Sequence, residues 1–312
     1  MAPYQLERYI RNPILLPTEN WWENDCVFNT AAALMNNEVH LIYRAQGDDN
    51  VSRFGYARST NGFDIVERHD TPVYESIGDE LEKFGVEDPR ASLIGDTYYI
   101  VYTGASAYPC SESRPIGPKP IPWRTRVGLL STKDFREYKK YGVILPDMDN
   151  KDVVLFPEKI NGKFVMLHRT FPNMWIAWSD DMICWYDHKL LMRVQPGAWD
   201  CNRIGAGAQP LKTEYGWLNF YHGVDHKRHY RLGILLLDLE DPSKIIGRSV
   251  DPVLSPDMDY EKVGLVPNVV FTCGAVEKDG RYLVYYGGAD KVIGVASMPV
   301  GDLSKVKLEK PL

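Results

Sequence analysis

The sequence has no long apolar run, no excess of basic residues and no paired cysteines, and each absence excludes a class of protein. No stretch approaches the ~20 apolar residues of a membrane-spanning helix, and the opening MAPYQLERYIRNP contains no signal-peptide core. With 36 Lys and Arg against 42 Asp and Glu, the net charge is −6, which argues against nucleic acid or an anionic membrane as a partner. The five cysteines are scattered and form no CxxC pair, as expected for reduced thiols in a cytoplasmic protein.

What the sequence does contain is a strand-turn-strand unit that recurs about five times. Its first strand is an apolar, β-rich run that ends in a polar or charged residue: VHLIYRAQG (39–47), TYYIVYTGAS (97–106), KFVMLHRT (163–170), GWLNFYHGV (216–224) and RYLVYYGGAD (281–290). A second strand follows, in most copies with the pattern GxAxS: FGYARSTNGF (54–63), VGLLSTKDF (127–135), MWIAWSDDM (174–182), LGILLLDLEDPSK (232–244) and IGVASM (293–298).

Roughly sixty residues per copy, with four short strands each, are typical of a propeller blade. No Pro-, Gly- or Ser-rich linker separates two halves of the chain. The sequence therefore predicts an all-β fold, a five-bladed β-propeller in which residues 1–312 form a single domain around a central funnel.

The repeat also predicts where the functional residues meet. A propeller directs the same end of every inner strand toward one funnel, and Arg44, Gly104, Arg169, His222 and Asp290 occupy similar places in their copies. We expect these positions to converge there.

The segment GVEDPRASL (85–93) is the first candidate for chemistry. Pro89 stiffens the turn and holds Asp88 and Arg90 in a fixed relation. From the residues alone, two interpretations stay open: a structural ion pair at a strand start, or an acid at the funnel that Arg90 orients.

Basic residues form the second candidate. Lys151, Arg169 and His222 come from different parts of the chain, and a cleft that gathers them would bind an anion such as phosphate through charge-assisted hydrogen bonds. The alternative is that Lys151 lies on a solvated loop and His222 in the core. His222, His226 and His229 lack a known metal-ligand spacing, so no metal site is predicted.

Aromatic residues are abundant near the expected rim, and rings combined with carboxylates and Arg fit a carbohydrate ligand better than an apolar one. The Pro- and Ser-rich stretch 106–123 interrupts the second hairpin. It is interpreted either as a substrate-shaping lid or as a solvated insertion or oligomer contact.

Taken together, these motifs resemble glycoside hydrolase family 130, the β-mannoside phosphorylases and related mannosidases, which are five-bladed β-propellers. The matching segments cover almost the whole chain: NPILLP (12–17), VFNTAA (27–32), LIYRA (41–45), GYARSTNGF (55–63), GVEDPR (85–90), KDVVLFPEKINGKFVMLHR (151–169), IGAGAQPLKTEYGWLNFYHGV (204–224), LDLEDPSK (237–244), VPNVVFTCGAV (266–276) and YYGGAD (285–290).

The resemblance implies roles for individual residues. Asp88 matches the family's catalytic acid, which is described as acting through the O3 hydroxyl of the mannosyl residue. Phosphate is held at the positions of Lys151, Arg169 and His222, and the mannosyl residue at those of Asn29, Arg44, Arg90 and Asp290. Two departures concern charge: family members often have Arg-Asn where this chain has Lys151-Asp152, and Lys where it has Arg169. Phosphate binding survives both changes in principle, with Asp152 free to face elsewhere.

The implied reaction is inverting phosphorolysis of non-reducing β-mannosides to α-D-mannose 1-phosphate and a shortened acceptor. Inorganic phosphate is the co-substrate, and no cofactor is expected. The long insertion favours β-1,2 over β-1,4 linkages, and a homo-oligomer is compatible with the sequence.

Two rival functions stay open. A β-mannosidase of the same fold needs a carboxylate base, for which Asp25, Glu87 and Glu158 are candidates. A non-catalytic sugar-binding propeller would explain the aromatic residues but leave the basic set without a purpose.

Overall fold

The computed structural model describes residues 3–108 and 123–311, and β-sheet dominates it. Five antiparallel sheets follow one another along the chain, which confirms the predicted five-bladed β-propeller. The first strand, Glu7–Arg8 (β1), belongs to the last blade. The stretch 109–122, most of the predicted lid or insertion, lies outside the described residues.

Blades 1 to 3 have four strands each, which follow one another from the axis outward. Blade 1 consists of Cys26–Met35 (β2), Glu38–Gln46 (β3), Ser52–Ser59 (β4) and Ile65–Arg68 (β5). Blade 2 consists of Val86–Ile94 (β6), Thr97–Ala107 (β7), Trp123–Thr132 (β8) and Lys139–Val143 (β9). Blade 3 consists of Lys151–Leu155 (β10), Phe164–Thr170 (β11), Asn173–Ser179 (β12) and Trp185–Met192 (β13).

Blades 4 and 5 depart from this plan. Blade 4 contains Arg203–Ala206 (β14), Leu211–Thr213 (β15), Gly216–Val224 (β16), Tyr230–Leu237 (β17) and Ile245–Ser249 (β18), with Leu308–Glu309 (β22) added against β18. Blade 5 contains Val270–Lys278 (β19), Arg281–Gly288 (β20) and Val292–Pro299 (β21), with β1 outermost. A short helix, Asp259–Lys262 (α1), precedes blade 5, and a 3₁₀ helix, Val300–Lys305, follows it.

The start of the chain closes the ring. Strand β1 pairs antiparallel with β21, Arg8 lying opposite Ala296. The Arg8 guanidinium also forms an ion pair of 2.7 Å with the buried Glu261 of α1. The last blade therefore contains both early and late segments of the chain.

The first strand of each blade lies at the axis, where side chains bind the backbone of other blades. Gln209 Nε2 donates to Ala32 O (3.1 Å) and Ala275 O (2.7 Å), and Ser92 Oγ donates to Leu155 O (2.7 Å). These bonds pair polar groups that would otherwise be buried without partners.

The predicted equivalence of five positions is wrong in two places. Arg44, Arg169 and His222 do match, but on the second strand of each blade, opposite Phe28, Lys151 and Gly205 of the inner strand. In blade 2 the matching residue is Thr103, not Gly104, because Thr103 lies opposite Glu87. Asp290 lies beyond the end of β20, in the turn before β21.

Four blades share a buried hydrogen-bonded group that we call the tyrosine tie. A tyrosine on the second strand covers a glycine of the third strand, whose missing Cβ leaves room for the ring: Tyr43 on Gly55, Tyr102 on Gly128, Tyr221 on Gly233 and Tyr286 on Gly294. Its hydroxyl donates to a buried carboxylate that precedes the blade: Glu23 (2.8 Å), Glu82 (2.6 Å), Asp200 (3.0 Å) and Glu261 (2.8 Å). A cation of the strand on the outer side of the third strand pairs with that carboxylate: Arg68, Lys140, Arg248 and Arg8.

Blade 3 has a different arrangement at the same place. His168 replaces the tyrosine and lies opposite Trp175 instead of a glycine. Its Nδ1 is 2.9 Å from Asn150 Nδ2, and its Nε2 is 3.0 Å from Nδ1 of the half-buried His188. Burial, followed by the neighbouring His188, lowers the pKa of His168 to about 3, so His168 is uncharged near neutral pH.

Candidate active site

Three inner strands carry a β-bulge at the same level of the funnel. The register shifts after Phe28, Glu87 and Lys151, and the next residue in each case has a positive φ: Asn29 (48°), Asp88 (52°) and Asp152 (58°). Asn and Asp adopt this left-handed conformation more readily than other non-glycine residues. Because a bulge re-aims a side chain, all three side chains reach the charged residues of the funnel.

Asp88 is buried at the centre of the site. Its Oδ1 accepts hydrogen bonds from Asn29 Nδ2 (2.8 Å) and Arg44 Nη1 (3.3 Å), and its Oδ2 from Lys151 Nζ (3.3 Å). Burial by itself raises the pKa of Asp88, but the charges of Lys151, Arg44 and Arg90 outweigh it and hold the pKa below its ordinary value. In this arrangement Asp88 is therefore an ionised carboxylate.

Arg44, Glu87 and Asp290 surround Asp88 on the funnel side. Arg44 Nη2 donates to Glu87 Oε1 (2.8 Å), and its guanidinium lies 4.6 Å from the centre of the Phe28 ring. Burial raises the pKa of Asp290 to about 7, with Arg44 opposing the shift and the charge of Asp88 adding to it. At neutral pH Asp290 is therefore close to half protonated.

A second, deeper layer contains Arg90, Asp152 and His222, all of them buried. Arg90 Nε donates to Gly207 O (2.8 Å) and its Nη1 to the backbone oxygen of Asp88 (3.0 Å). Arg90 thus supports Asp88 from beneath and crosses to blade 4.

Asp152 faces the basic residues, although the sequence left it free to face elsewhere. Its Oδ2 lies 2.6 Å from Arg169 Nη1 and 3.4 Å from His222 Nε2, and its Oδ1 lies 3.5 Å from Arg90 Nη2. Burial raises the pKa of Asp152, but Arg169 and His222 more than reverse this and leave it well below the ordinary value. The set predicted to be basic therefore includes a buried carboxylate.

His222 is a neutral member of the set near pH 7. Burial lowers its pKa to about 4, despite the opposing effect of Asp152. Gly205 lies opposite it, and a Cβ there would come within 2.6 Å of both Asp152 Oδ2 and His222 Cε1. Glycine at 205 is therefore required for the two side chains to meet.

The three candidate bases lie in different places. Asp25 is half-exposed and pairs with Lys291 (2.9 Å). Glu158 pairs with Lys212 (2.6 Å) beyond the far end of β10, away from Lys151. Glu87 is the one candidate in contact with a residue that binds Asp88, and Arg44 already occupies it.

Two features are absent from the described part of the chain. Within 3–108 and 123–311, no group of three or more His, Cys, Asp or Glu side chains is arranged to hold a metal ion. In the same ranges, no helix is long and apolar enough to cross a membrane.

Sequence reasoning missed Asp152 and Gly205. The signal for Asp152 was present, because Phe28-Asn29, Glu87-Asp88 and Lys151-Asp152 stand at the same place in three successive inner strands. An alignment of the first strands of the repeat, instead of the second, would have revealed it. Gly205 has no such signal, because the requirement for glycine at this position comes from two side chains on other strands.

Known proteins resemble this chain over nearly its whole length. The sequence model of the family described as beta-1,4-mannooligosaccharide phosphorylase matches residues 11–308. A 1,2-beta-oligomannan phosphorylase of Thermoanaerobacter sp. is 45% identical over 96% of this chain and 99% of its own length, and a beta-1,2-mannobiose phosphorylase of the same organism is 43% identical over 94% and 97%. The structure of beta-1,2-mannobiose phosphorylase from Listeria innocua, in complex with beta-1,2-mannobiose, superimposes with a TM-score of 0.83 at 30% identity, over 96% of this chain and 98% of that one. The resemblance seen in the sequence motifs is thereby confirmed, and this chain belongs to glycoside hydrolase family 130.

Proposed function

We propose that this protein is a glycoside phosphorylase that cleaves non-reducing β-mannosides with inorganic phosphate and inversion, giving α-D-mannose 1-phosphate and a shortened acceptor. The observation that carries the proposal is the contact of Lys151 with Asp88, by which the Asp88 carboxyl group lies beside a basic residue whose cross-strand neighbour is Arg169. An acid and an anion site in contact are the groups that phosphorolysis needs, because phosphate is already an anionic nucleophile and requires no base.

The residues on the funnel side of Asp88 bind the mannosyl unit. Asn29, Arg44 and Asp290 surround Asp88 and offer amide, guanidinium and carboxyl groups to sugar hydroxyls. Arg90 acts from the deeper layer, where it holds the backbone of Asp88. The mannosyl ring is thereby oriented with its hydroxyls toward the acid.

Phosphate binding allows Asp88 to take up the proton that it later donates. Before phosphate binds, the cations around Asp88 keep it ionised. Phosphate bound by Lys151 and Arg169 neutralises part of that positive charge and adds negative charge, so the pKa of Asp88 rises. Asp88 is therefore protonated when phosphate, the nucleophile, is bound.

The bond changes follow from this arrangement. A phosphate oxygen attacks C1 of the mannosyl unit from the face opposite the leaving group, and the bond between C1 and the leaving oxygen breaks. The proton of Asp88 passes through the O3 hydroxyl, the route implied by the family resemblance, to the leaving oxygen. The β-mannoside thus becomes α-mannose 1-phosphate, and Asp88 returns to its ionised form.

The linkage is proposed as β-1,2. Two relatives that are 45% and 43% identical are named 1,2-beta-oligomannan phosphorylase and beta-1,2-mannobiose phosphorylase, whereas a relative named beta-1,4-mannooligosaccharide phosphorylase is 33% identical. Residues 1–312 acting as one catalytic domain, and a cytoplasmic location, belong to the same proposal. The four cysteines in the described part of the chain are free thiols, which supports a reducing compartment.

The experiment that tests this function is the cleavage of β-1,2- and β-1,4-mannobiose with and without inorganic phosphate. We expect mannose 1-phosphate to appear only with phosphate, and faster from the β-1,2 isomer. Free mannose released at the same rate without phosphate would show a hydrolase instead, with Glu87 as the base to examine. No turnover of any β-mannoside would favour a sugar-binding protein.

A matched pair of variants tests the acid. Asp88→Asn should lower kcat by roughly a thousandfold, within the range for loss of a general acid. Asp25→Asn makes the same chemical change at the half-exposed ion pair with Lys291 and should keep the wild-type kcat. Retained phosphorolysis in Asp88→Asn would remove Asp88 as the acid.

A further inference from the structure

A carboxylate lies where the proposed reaction requires a site for an anion. Asp152 has no exposed surface and contacts Arg169, His222 and Arg90 in the deeper layer. Arg169 is the more accessible member of this pair, since 12% of its side chain is exposed against 0% for Asp152. Arg169 is therefore the member of the pair that an incoming anion can reach.

The charges of the site are nearly balanced without phosphate. The cations are Arg44, Arg90, Lys151 and Arg169, and the carboxylates in contact with them are Glu87, Asp88 and Asp152. Asp290 adds part of a further negative charge. A phosphate dianion thus enters a pocket whose positive charges already have partners, and it must take at least one of them over.

Arg169 is the cation best placed to change partner. The Arg169 Nη1 atom lies 2.6 Å from Asp152 Oδ2, yet no N–H of the described residues is aligned with that oxygen as a hydrogen bond. The pair is held by charge and lacks the bidentate geometry that makes such pairs strong. Rotation of the partly exposed Arg169 side chain toward the funnel would give phosphate a charge-assisted bond in its place.

We propose that Asp152 is a positioning residue, a built-in counter-anion that holds Arg169 before phosphate arrives and competes with phosphate for it, so that Asp152 sets the affinity of the site for tetrahedral oxyanions. This inference rests on the phosphorolysis proposed above. A purely structural role for Asp152 has the opposite consequence, because loss of the carboxylate would then release Arg169 and weaken phosphate binding.

The backbone at 152 allows the carboxylate to be removed cleanly. Its φ of 58° is accessible to Asn and Gly without the penalty that other residues incur. Asp152→Asn removes the charge and keeps the shape, and Asp152→Gly removes the whole side chain. Asp152→Glu keeps the charge at some backbone cost at this φ, and it serves as the charge control once its unfolding temperature shows that it is folded.

The test is the binding of inorganic phosphate, and separately of sulfate, to the wild-type protein and the three variants by isothermal titration calorimetry. A unit charge about 6 Å from the anion, at an effective dielectric constant of about 20, changes the affinity by more than tenfold. We therefore expect at least tenfold lower Kd values for both anions in Asp152→Asn and Asp152→Gly, and no tightening in Asp152→Glu. The KM for phosphate should fall with the Kd, while the affinity for mannobiose without phosphate should not change.

A second readout does not depend on turnover. Phosphate should raise the unfolding temperature of Asp152→Asn and Asp152→Gly more than that of the wild type, since a ligand stabilises in proportion to the logarithm of its concentration over Kd. If the wild type binds phosphate and both uncharged variants bind it equally or more weakly, the counter-anion role is wrong and the proposed function stands. If none of the four proteins binds phosphate, the proposed function and this inference are both wrong.

Discussion

Blades 1, 2, 4 and 5 secure their second strand with a charged tyrosine tie, whereas blade 3 uses Asn150, His168 and His188, a group without a carboxylate. Blade 3 is also the blade that carries Lys151, Asp152 and Arg169. Asn150 directly precedes Lys151, and its Oδ1 accepts a hydrogen bond from the backbone N–H of Arg169 (3.3 Å). A carboxylate in place of Asn150 would compete with phosphate for these cations. The ring of the second strand therefore has a carboxylate partner in blades 1, 2, 4 and 5 and only neutral side-chain partners, Asn150 and His188, in the blade that borders the anion site.

The largest expected effect comes from breaking a tie that is wholly buried. In blade 4, Asp200, Tyr221 and Arg248 have almost no exposed surface. Asp200→Asn leaves the Arg248 guanidinium without its 2.7 Å partner, and removal of one member of a buried pair costs about 3 kcal/mol or more.

Urea denaturation monitored by tryptophan fluorescence measures this loss. Asp25→Asn is the control and should cost less than about 1 kcal/mol, as for other exposed pairs. Equal free energies of unfolding for the two variants would show that the buried tie stabilises the fold no more than an exposed ion pair does.

The next largest effect is the pH dependence of stability that His168 gives to blade 3. The pKa of His168 is about 3 in the folded protein and near 6.5 when unfolded. Below about pH 6.5 the unfolded chain binds a proton that the folded one does not, so stability is lost as the pH falls. Between pH 8 and 5 the loss from His168 is about 2 kcal/mol.

The measurement is the free energy of unfolding at several pH values for the wild type and His168→Gln. His222 and His40 also have lowered pKa values and contribute to the slope of both proteins, so the difference between the two slopes isolates blade 3. Parallel slopes would assign the acid sensitivity elsewhere.

The smallest expected effect is a difference between two Tyr→Phe variants, and it separates the contribution of charge from that of packing within one tie. Tyr102→Phe removes the hydroxyl that donates to Glu82 (2.6 Å), while Lys140 keeps its contact with the same carboxylate. A hydrogen bond to a charged partner contributes about 1.5–3 kcal/mol.

Tyr285→Phe is the matched control, because its hydroxyl donates to the neutral backbone oxygen of Gly62 (2.6 Å). Its cost should be nearer 1 kcal/mol. A larger cost for Tyr285→Phe than for Tyr102→Phe would contradict the importance of charge in the tie.

The sequence predicts the ring well because its evidence is local and repeated. Apolar strands with a tyrosine and a glycine at fixed places recur in most blades, and this is sufficient for the number of blades. Closure by β1 was not predicted, since a strand of two residues, Glu7–Arg8, is too short to show any alternation.

The site was predictable in its members but not in its electrostatics. Asp88, Lys151, Arg44 and Asn29 do meet, as a repeat that points to one funnel requires. Gly104 was assigned in place of Thr103 because the cross-strand register depends on a bulge at Asp88, and bulges leave little trace in composition. The neutrality of His222 and the inward position of Asp152 depend on burial by other strands, which a single segment of sequence does not contain.

The closure of blade 5 has a consequence for how the molecule is made. Strand β1 is synthesised before every other strand described, yet its partner β21 follows all of them except β22, since Arg8 pairs with Ala296. The ion-pair partner of Arg8, Glu261, is also synthesised much later than Arg8. Until Glu261 has been synthesised, the tyrosine tie of blade 5 lacks its carboxylate. Pairings so distant along the chain are slow to form. Translation therefore produces an open arc of blades with a free early strand, and the funnel becomes a complete site only when the two ends of the arc meet.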